Sequence, residues 1–181
     1  MENLNHYDYI YKINDWAEIR GLNRSDFLAM QLEKSREENA ELTQAITKYE
    51  LGNKEAIVEI KDAIGDVYVT LVVAFKLLKP IETVYYIFRS TVLWHSKDEL
   101  ETSWICFSEL LRTTDARFYK TFISEEKIDI ELFKMLVTYI NLLDVVAKKY
   151  DLELVDCVDY AYNQIKNRTG KMIDGSFVKD E

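Results

Sequence analysis

A chain with almost nothing to break a helix has few folds open to it. Pro80 is the only proline, and five glycines are spread over 181 residues. These two residue types most disfavour a helix interior, so their scarcity predicts long helices rather than many short strands. The apolar spacing agrees nearly throughout, and the expected fold class is an all-α helical bundle. A first helix is predicted over about 7–18, closed near Gly21. Ser25-Asp26 offers an N-cap for a second helix running to about Leu51, with Leu28, Leu32, Ala45 and Tyr49 on its apolar side. Gly52-Asn53 reads as a stop followed by a new cap. The third helix is predicted over about 54–79, with Ile57, Ile60, Ile64, Val67 and Leu71 at core spacing. Beyond Asp66 it is apolar nearly all round, which predicts a central position, and Pro80 ends it.

Further helices are predicted over about 82–94, 97–119 and 128–149, with Ser96 and Ser124 as caps, and a last one over 155–167. The tail Lys171-Met172-Ile173-Asp174-Gly175-Ser176-Phe177-Val178 sets an Asp-Gly pair between apolar residues, a short hairpin signal. No repeat, low-complexity run or linker interrupts the sequence, so one domain is expected over 1–181.

The net charge of -9 argues against broad binding to nucleic acid or an anionic membrane. It suits a protein that recruits cations to meet an anionic substrate. Cys106 and Cys157 have no metal-ligand spacing and are expected to be reduced, buried thiols of a cytoplasmic protein. Asn3, Asn5, His6 and Asp8 interrupt the stretch where a signal peptide would be apolar. The most apolar stretch, 67–78, is too short to span a bilayer. His6 and His95 have no partner at ligand spacing and read as surface or core residues.

Two acidic segments stand out against this background. The first is Glu37-Glu38-Asn39-Ala40-Glu41, and the second is Glu59-Ile60-Lys61-Asp62-Ala63-Ile64-Gly65-Asp66. Each sets carboxylates three or four residues apart, hence on one helix face. Glu59, Asp62 and Asp66 fall within roughly 60° of one another at about 100° per residue. Two readings stand. One is a solvated charged face, with Lys34 and Arg36 partly neutralising it. The other is a divalent-cation site between two helices, since Mg2+ takes a few carboxylates and leaves other positions to water and phosphate. Such a cation offsets charge in phosphoryl transfer, and a neighbouring carboxylate takes a proton from water. Gly65 costs about 1 kcal/mol relative to alanine in mid-helix, and its small size admits a neighbouring helix or a ligand. Asp66 sits where the apolar run begins, and unpaired charge is costly there.

The pattern Gln31-Leu32-x-Lys34-x-x-Glu37-Glu38-x-x-Glu41-Leu42, then Asp62-Ala63-Ile64-Gly65-Asp66-Val67, resembles the MazG-like nucleotide pyrophosphohydrolases of the all-α NTP pyrophosphatase superfamily. Trp16-Ala17-Glu18-x-Arg20-Gly21-Leu22 resembles the lead-in of their phage and bacterial forms. Ala161-Tyr162-Asn163-x-Ile165-Lys166-x-Arg168-x-Gly170-Lys171-Met172 is similar to the C-terminal signature of that subgroup. The likeness covers about 13–78 and 142–179. It implies Mg2+-dependent hydrolysis of nucleoside triphosphates, ribo- or deoxyribo-, to the monophosphate and pyrophosphate, with Mn2+ as a substitute metal and a homodimer or higher homo-oligomer. The implied role is nucleotide-pool sanitation or control. Glu38 and Glu41 match the family's ExxE, and Asp66 matches the closing Asp of its ExxD. Ala63 departs from that motif, and either Asp62 or Glu59 is left to replace the missing carboxylate. The implied metal ligands are Glu38, Glu41, Asp62 and Asp66, with Glu37, Glu38 or Glu59 as catalytic carboxylates.

Asn163, Lys166, Arg168 and Lys171 lie near the end of the last helix. On spacing alone the lysines and arginine compensate the helix dipole and Asn163 is a surface polar group. The resemblance makes them substrate contacts, with Asn163 and Lys166 facing the bundle and Arg168 and Lys171 reaching phosphates. Lys34 either joins them or pairs with Glu38. Trp16 either stacks on a base or caps the bundle. The segment at about 81–141 is an inserted helical block, with Trp94 and Trp104 among many aromatics. Either it covers surface that shorter relatives bury in a dimer, or it forms a partner-binding face. Within it, Glu99-x-Glu101 and Glu125-Glu126 read as solvated. The rival to the enzyme is a non-catalytic helical module that senses nucleotides or binds proteins, motivated by Ala63 and the insertion.

Overall fold

The computed structural model of the protein describes residues 4–24, 27–90, 109, 112–113, 116, 128–173 and 176–179. Among these, six α-helices and two strands are formed: α1 (Tyr9–Ile19), α2 (Leu28–Glu50), α3 (Ile57–Lys76), α4 (Ile81–Ser90), α5 (Ile128–Lys149), α6 (Leu154–Ile165), β1 (Gly170–Ile173) and β2 (Ser176–Lys179). No helix among the described residues is long and apolar enough to cross a membrane. The Ser25-Asp26, Ser96 and Ser124 caps and the Asp174-Gly175 turn lie outside the described residues. So does the helix expected over 97–119, apart from helical positions 109, 112, 113 and 116. His95, Trp94, Trp104, Cys106 and the Glu99, Glu101, Glu125 and Glu126 carboxylates lie outside them as well.

Helix ends follow the stop signals. Gly21 and Gly52 have φ of 73° and 110°, the left-handed region that favours glycine. At each, two backbone bonds close the helix: Leu22 N–H to Ala17 and Gly21 N–H to Glu18, then Asn53 N–H to Lys48 and Gly52 N–H to Tyr49. Asp151, φ 56°, closes α5 by the same pattern without a glycine. The first and third helices start later than their spacing suggests. Short 3-10 turns at His6–Asp8 and Lys54–Ala56 precede them.

The core is built around α3, which packs against α1, α2, α4, α5 and α6. Every residue from Val67 to Phe75 is buried, as the all-round apolar run predicts. α2 and α3 form an antiparallel hairpin. Lys48 pairs with Glu59 near its turn, while Glu41 acts on Asp62 and Glu38 on Asp66 progressively farther along. α1 runs parallel to α6. Tyr9 donates to Asp159, Trp16 to the Ile165 carbonyl and Arg20 to the Arg168 carbonyl, in step along both chains. The strands pair antiparallel, with Met172 opposite Phe177 and Lys171 opposite Val178.

Polar atoms inside the bundle are few and specific. The fully buried Tyr68 hydroxyl donates to the His6 carbonyl at 3.0 Å, and the two rings meet edge to face at 5.8 Å. His6 is itself buried, and desolvation lowers its imidazole to about 4, so it is neutral at pH 7. Tyr68→Phe is expected to cost about 1–2 kcal/mol in urea denaturation, because it strands the His6 carbonyl away from water. Unchanged stability would mean that water reaches that carbonyl.

Candidate functional site

The two acidic segments face each other across the α2–α3 seam. On α2, residues Leu32, Ser35, Glu38, Asn39 and Leu42 are buried, so the helix turns Glu38 inward with its apolar stripe. Glu38 is only 6% exposed, unusual for a carboxylate. Glu37 and Glu41 flank it on the exposed side. On α3, Asp62 and Asp66 are half-buried at the edge of the apolar run. The Asp62 Oδ1 atom is buried with no hydrogen-bond partner. A buried carboxylate oxygen left unpaired is costly, and it marks the seam as a place that favours a cation.

The charges act on one another. Burial raises the Glu38 carboxyl; Lys34 opposes this, and Glu41 and Glu37 add to it. Burial also raises Asp62, with Arg168 pulling it down and Glu41 pushing it up. Asp66 is pushed up to about 7 by burial, then by Glu38 and Asp62, with Arg168 and Lys34 acting the other way. The four residues implied as metal ligands therefore lie within one another's fields.

Cations already answer part of this charge. The Lys34 ammonium is 2.8 Å from Glu38 Oε1 and 3.1 Å from Glu37 Oε2. Burial opposes its charge, but the hydrogen bonds to Glu38 and Glu37 prevail and raise it to about 12. Of the alternatives for Lys34, pairing with Glu38 is the one observed. Arg168, just beyond the end of α6, acts electrostatically on both Asp62 and Asp66.

Gly65 brings α6 this close. A Cβ on it would stand 2.3 Å from the Cys157 carbonyl oxygen and 2.5 Å from the Ala161 Cβ. The glycine admits a neighbouring helix, one of the two roles its size suggests. Cys157 is a free, buried thiol at this contact, and burial pushes it up to about 12, so it stays protonated and unreactive at neutral pH.

Other candidates stand apart from the seam. Glu59 is exposed and pairs with Lys48 at 2.6 Å, at the hairpin's turn end. Asn163 and Lys166 are exposed rather than turned toward the bundle, and the Lys166 ammonium donates to Asn163 Oδ1 at 2.6 Å. Lys171 lies on β1 opposite Val178. Trp16 is half-buried against the core; its Nε1 donates to the Ile165 carbonyl at 2.9 Å, and Arg20 lies over its ring at 5.1 Å. Of the alternatives for Trp16, this arrangement favours capping the bundle. Arg20 is the site-building residue that spacing did not single out. Its signals were its position just before the Gly21 stop and its place in the Trp16–Leu22 block, which gave it no role.

The donor chemistry fits a hard divalent cation, because every candidate ligand offers carboxylate oxygens. The spacing is looser than a closed cage: among the described residues no three His, Cys, Asp or Glu side chains are grouped tightly enough to hold a metal ion. Compared with protein-family models, with curated proteins and with solved structures, the chain matches none.

Proposed function

We propose that this protein is a Mg2+-dependent nucleoside triphosphate pyrophosphohydrolase. It would cleave ribo- or deoxyribonucleoside triphosphates to the monophosphate and pyrophosphate, in nucleotide-pool sanitation or control. One observation carries the reading: Glu38, Glu41, Asp62 and Asp66 share a half-buried seam whose far side is formed by the cationic Arg168. A surface charged face would keep its carboxylates solvated and unshifted, and three of these are raised. Glu38, Glu41, Asp62 and Asp66 would hold Mg2+, which when bound neutralises phosphate charge. Arg168 binds phosphate oxygens with its planar fork of donors. Lys34 balances Glu38 until substrate arrives. Glu38, the most buried carboxylate of the set, accepts a proton from water, with Glu37 beside it.

A second reading, a non-catalytic nucleotide-sensing or protein-interaction module, draws on the looseness of the carboxylate group and on Ala63. Pyrophosphate release from a panel of NTPs and dNTPs separates the two. Mg2+-dependent release from at least one nucleotide is expected, with a rise in melting temperature on adding Mg2+. A thermal shift without release favours the second reading. The absence of both release and shift sinks the first.

A further inference from the structure

The contacts that carry Arg168 to the acidic seam end on a residue of α1. Arg20 Nε donates to the Arg168 carbonyl at 2.9 Å, and its Nη2 donates to that carbonyl and to the Lys166 carbonyl, the latter at 3.1 Å. Its Nη1 returns to the Trp16 carbonyl of its own helix at 3.3 Å. The Lys166 and Arg168 carbonyls lie just past the last turn of α6, where no further turn supplies donors. Only arginine offers enough donors in one plane to take two such carbonyls and still reach back to α1. The ring of Trp16, over which the guanidinium lies, holds the Ile165 carbonyl, so the carbonyls of Ile165, Lys166 and Arg168 together pin the end of α6 to α1.

We infer that Arg20 is a positioning residue: by holding the Lys166 and Arg168 carbonyls it fixes where the chain leaves α6, and so aims the Arg168 guanidinium across the seam at the phosphates of a polyphosphate ligand. This rests on reading the seam as a polyphosphate site. Arg20 acts through Arg168 and touches no ligand. Its loss therefore moves ligand affinity and is silent once Arg168 is gone. Lysine at position 20 keeps the charge but cannot span two carbonyls.

The test uses the full chain and inorganic tripolyphosphate with Mg2+ as the probe, read by calorimetry, with KM and kcat measured on the best nucleotide of the panel. Arg20→Met and Arg168→Met are each expected to weaken tripolyphosphate binding about tenfold, and KM is expected to rise with kcat within about threefold. Arg20→Lys is expected to match Arg20→Met, and the double variant to match Arg168→Met alone. Should Arg20→Met melt too low to assay, Arg20→Lys carries the comparison. Wild-type affinity in both Arg20 variants, or additive losses in the double variant, overturns the inference and leaves the enzyme reading standing. The expected binding pattern in a chain that turns over no nucleotide keeps the inference and removes the enzyme reading. Absence of tripolyphosphate binding in the wild-type chain overturns the inference.

Discussion

Gly65→Ala is expected to lower the free energy of unfolding by about 2–3 kcal/mol, although alanine is the better helix former. The added methyl would meet the Cys157 carbonyl oxygen at 2.3 Å, the Ala161 Cβ at 2.5 Å and the Cys157 carbonyl carbon at 2.9 Å. None of these is the far end of a flexible side chain, so α6 has to move off α3 as a body. The gain in helix propensity, about 1 kcal/mol, does not offset losing this close helix contact. Arg168 follows α6, so its approach to Asp62 and Asp66 loosens too, and tripolyphosphate binding falls together with stability. Ala161→Gly in the same chain removes one of the clashing atoms and leaves the two backbone atoms of Cys157, so rescue in urea denaturation is expected to be partial. A Gly65→Ala protein as stable as wild type would show that the helices do not approach this closely.

Asp66→Asn is expected to make the metal-free protein more stable at pH 8, by about 2 kcal/mol, while removing its function. The folded protein holds the Asp66 proton up to about pH 7, against an ordinary value of 3.8. Between those values the folded state binds more protons than the unfolded chain, so stability is greatest in acid and falls as pH rises through 7. A shift of about three units is worth up to about 4 kcal/mol, and asparagine recovers part of it because its own amide must also find partners. The advantage of the variant vanishes near pH 3, where Asp66 is neutral in both states. Mg2+ affinity in the wild type is expected to rise with pH up to about 7, because the ion must displace this proton. In the variant that affinity falls at least about a hundredfold, beyond the usual loss for an outer-shell partner. Thermal melts at pH 4 and pH 8, with and without Mg2+, check both halves. A variant less stable than wild type at pH 8 would mean that Asp66 is charged and paired in the fold.

The all-helical architecture was legible because its signals are local. Gly21 and Gly52 end helices where expected, α5 spans the expected Ile128–Lys149, and the even burial of Val67 to Phe75 follows from composition alone. What periodicity missed depends on partners distant in sequence. Glu59 and Asp62 share one face of α3, and spacing cannot separate them. Lys48, on another helix, claims Glu59 and leaves Asp62 to Arg168. Asn163 and Lys166 satisfy each other at the surface, a pairing that removes the reason to turn inward. The closure of α5 at Asp151 escaped notice because aspartate reaches the left-handed region less conspicuously than glycine.

The parallel seating of α1 beside α6 bears on how the molecule acquires its charge balance while folding. The α2–α3 hairpin closes over a turn at Gly52-Asn53, a short loop with little closure entropy. The contacts of Arg20 with Arg168 and of Trp16 with Ile165 join residues 148 and 149 positions apart. Contacts of such separation form late. The carboxylates thus assemble first and stand without Arg168 until α6 docks on α1. High salt should therefore slow the final docking, by screening the attraction between Arg168 and the anionic hairpin during that interval.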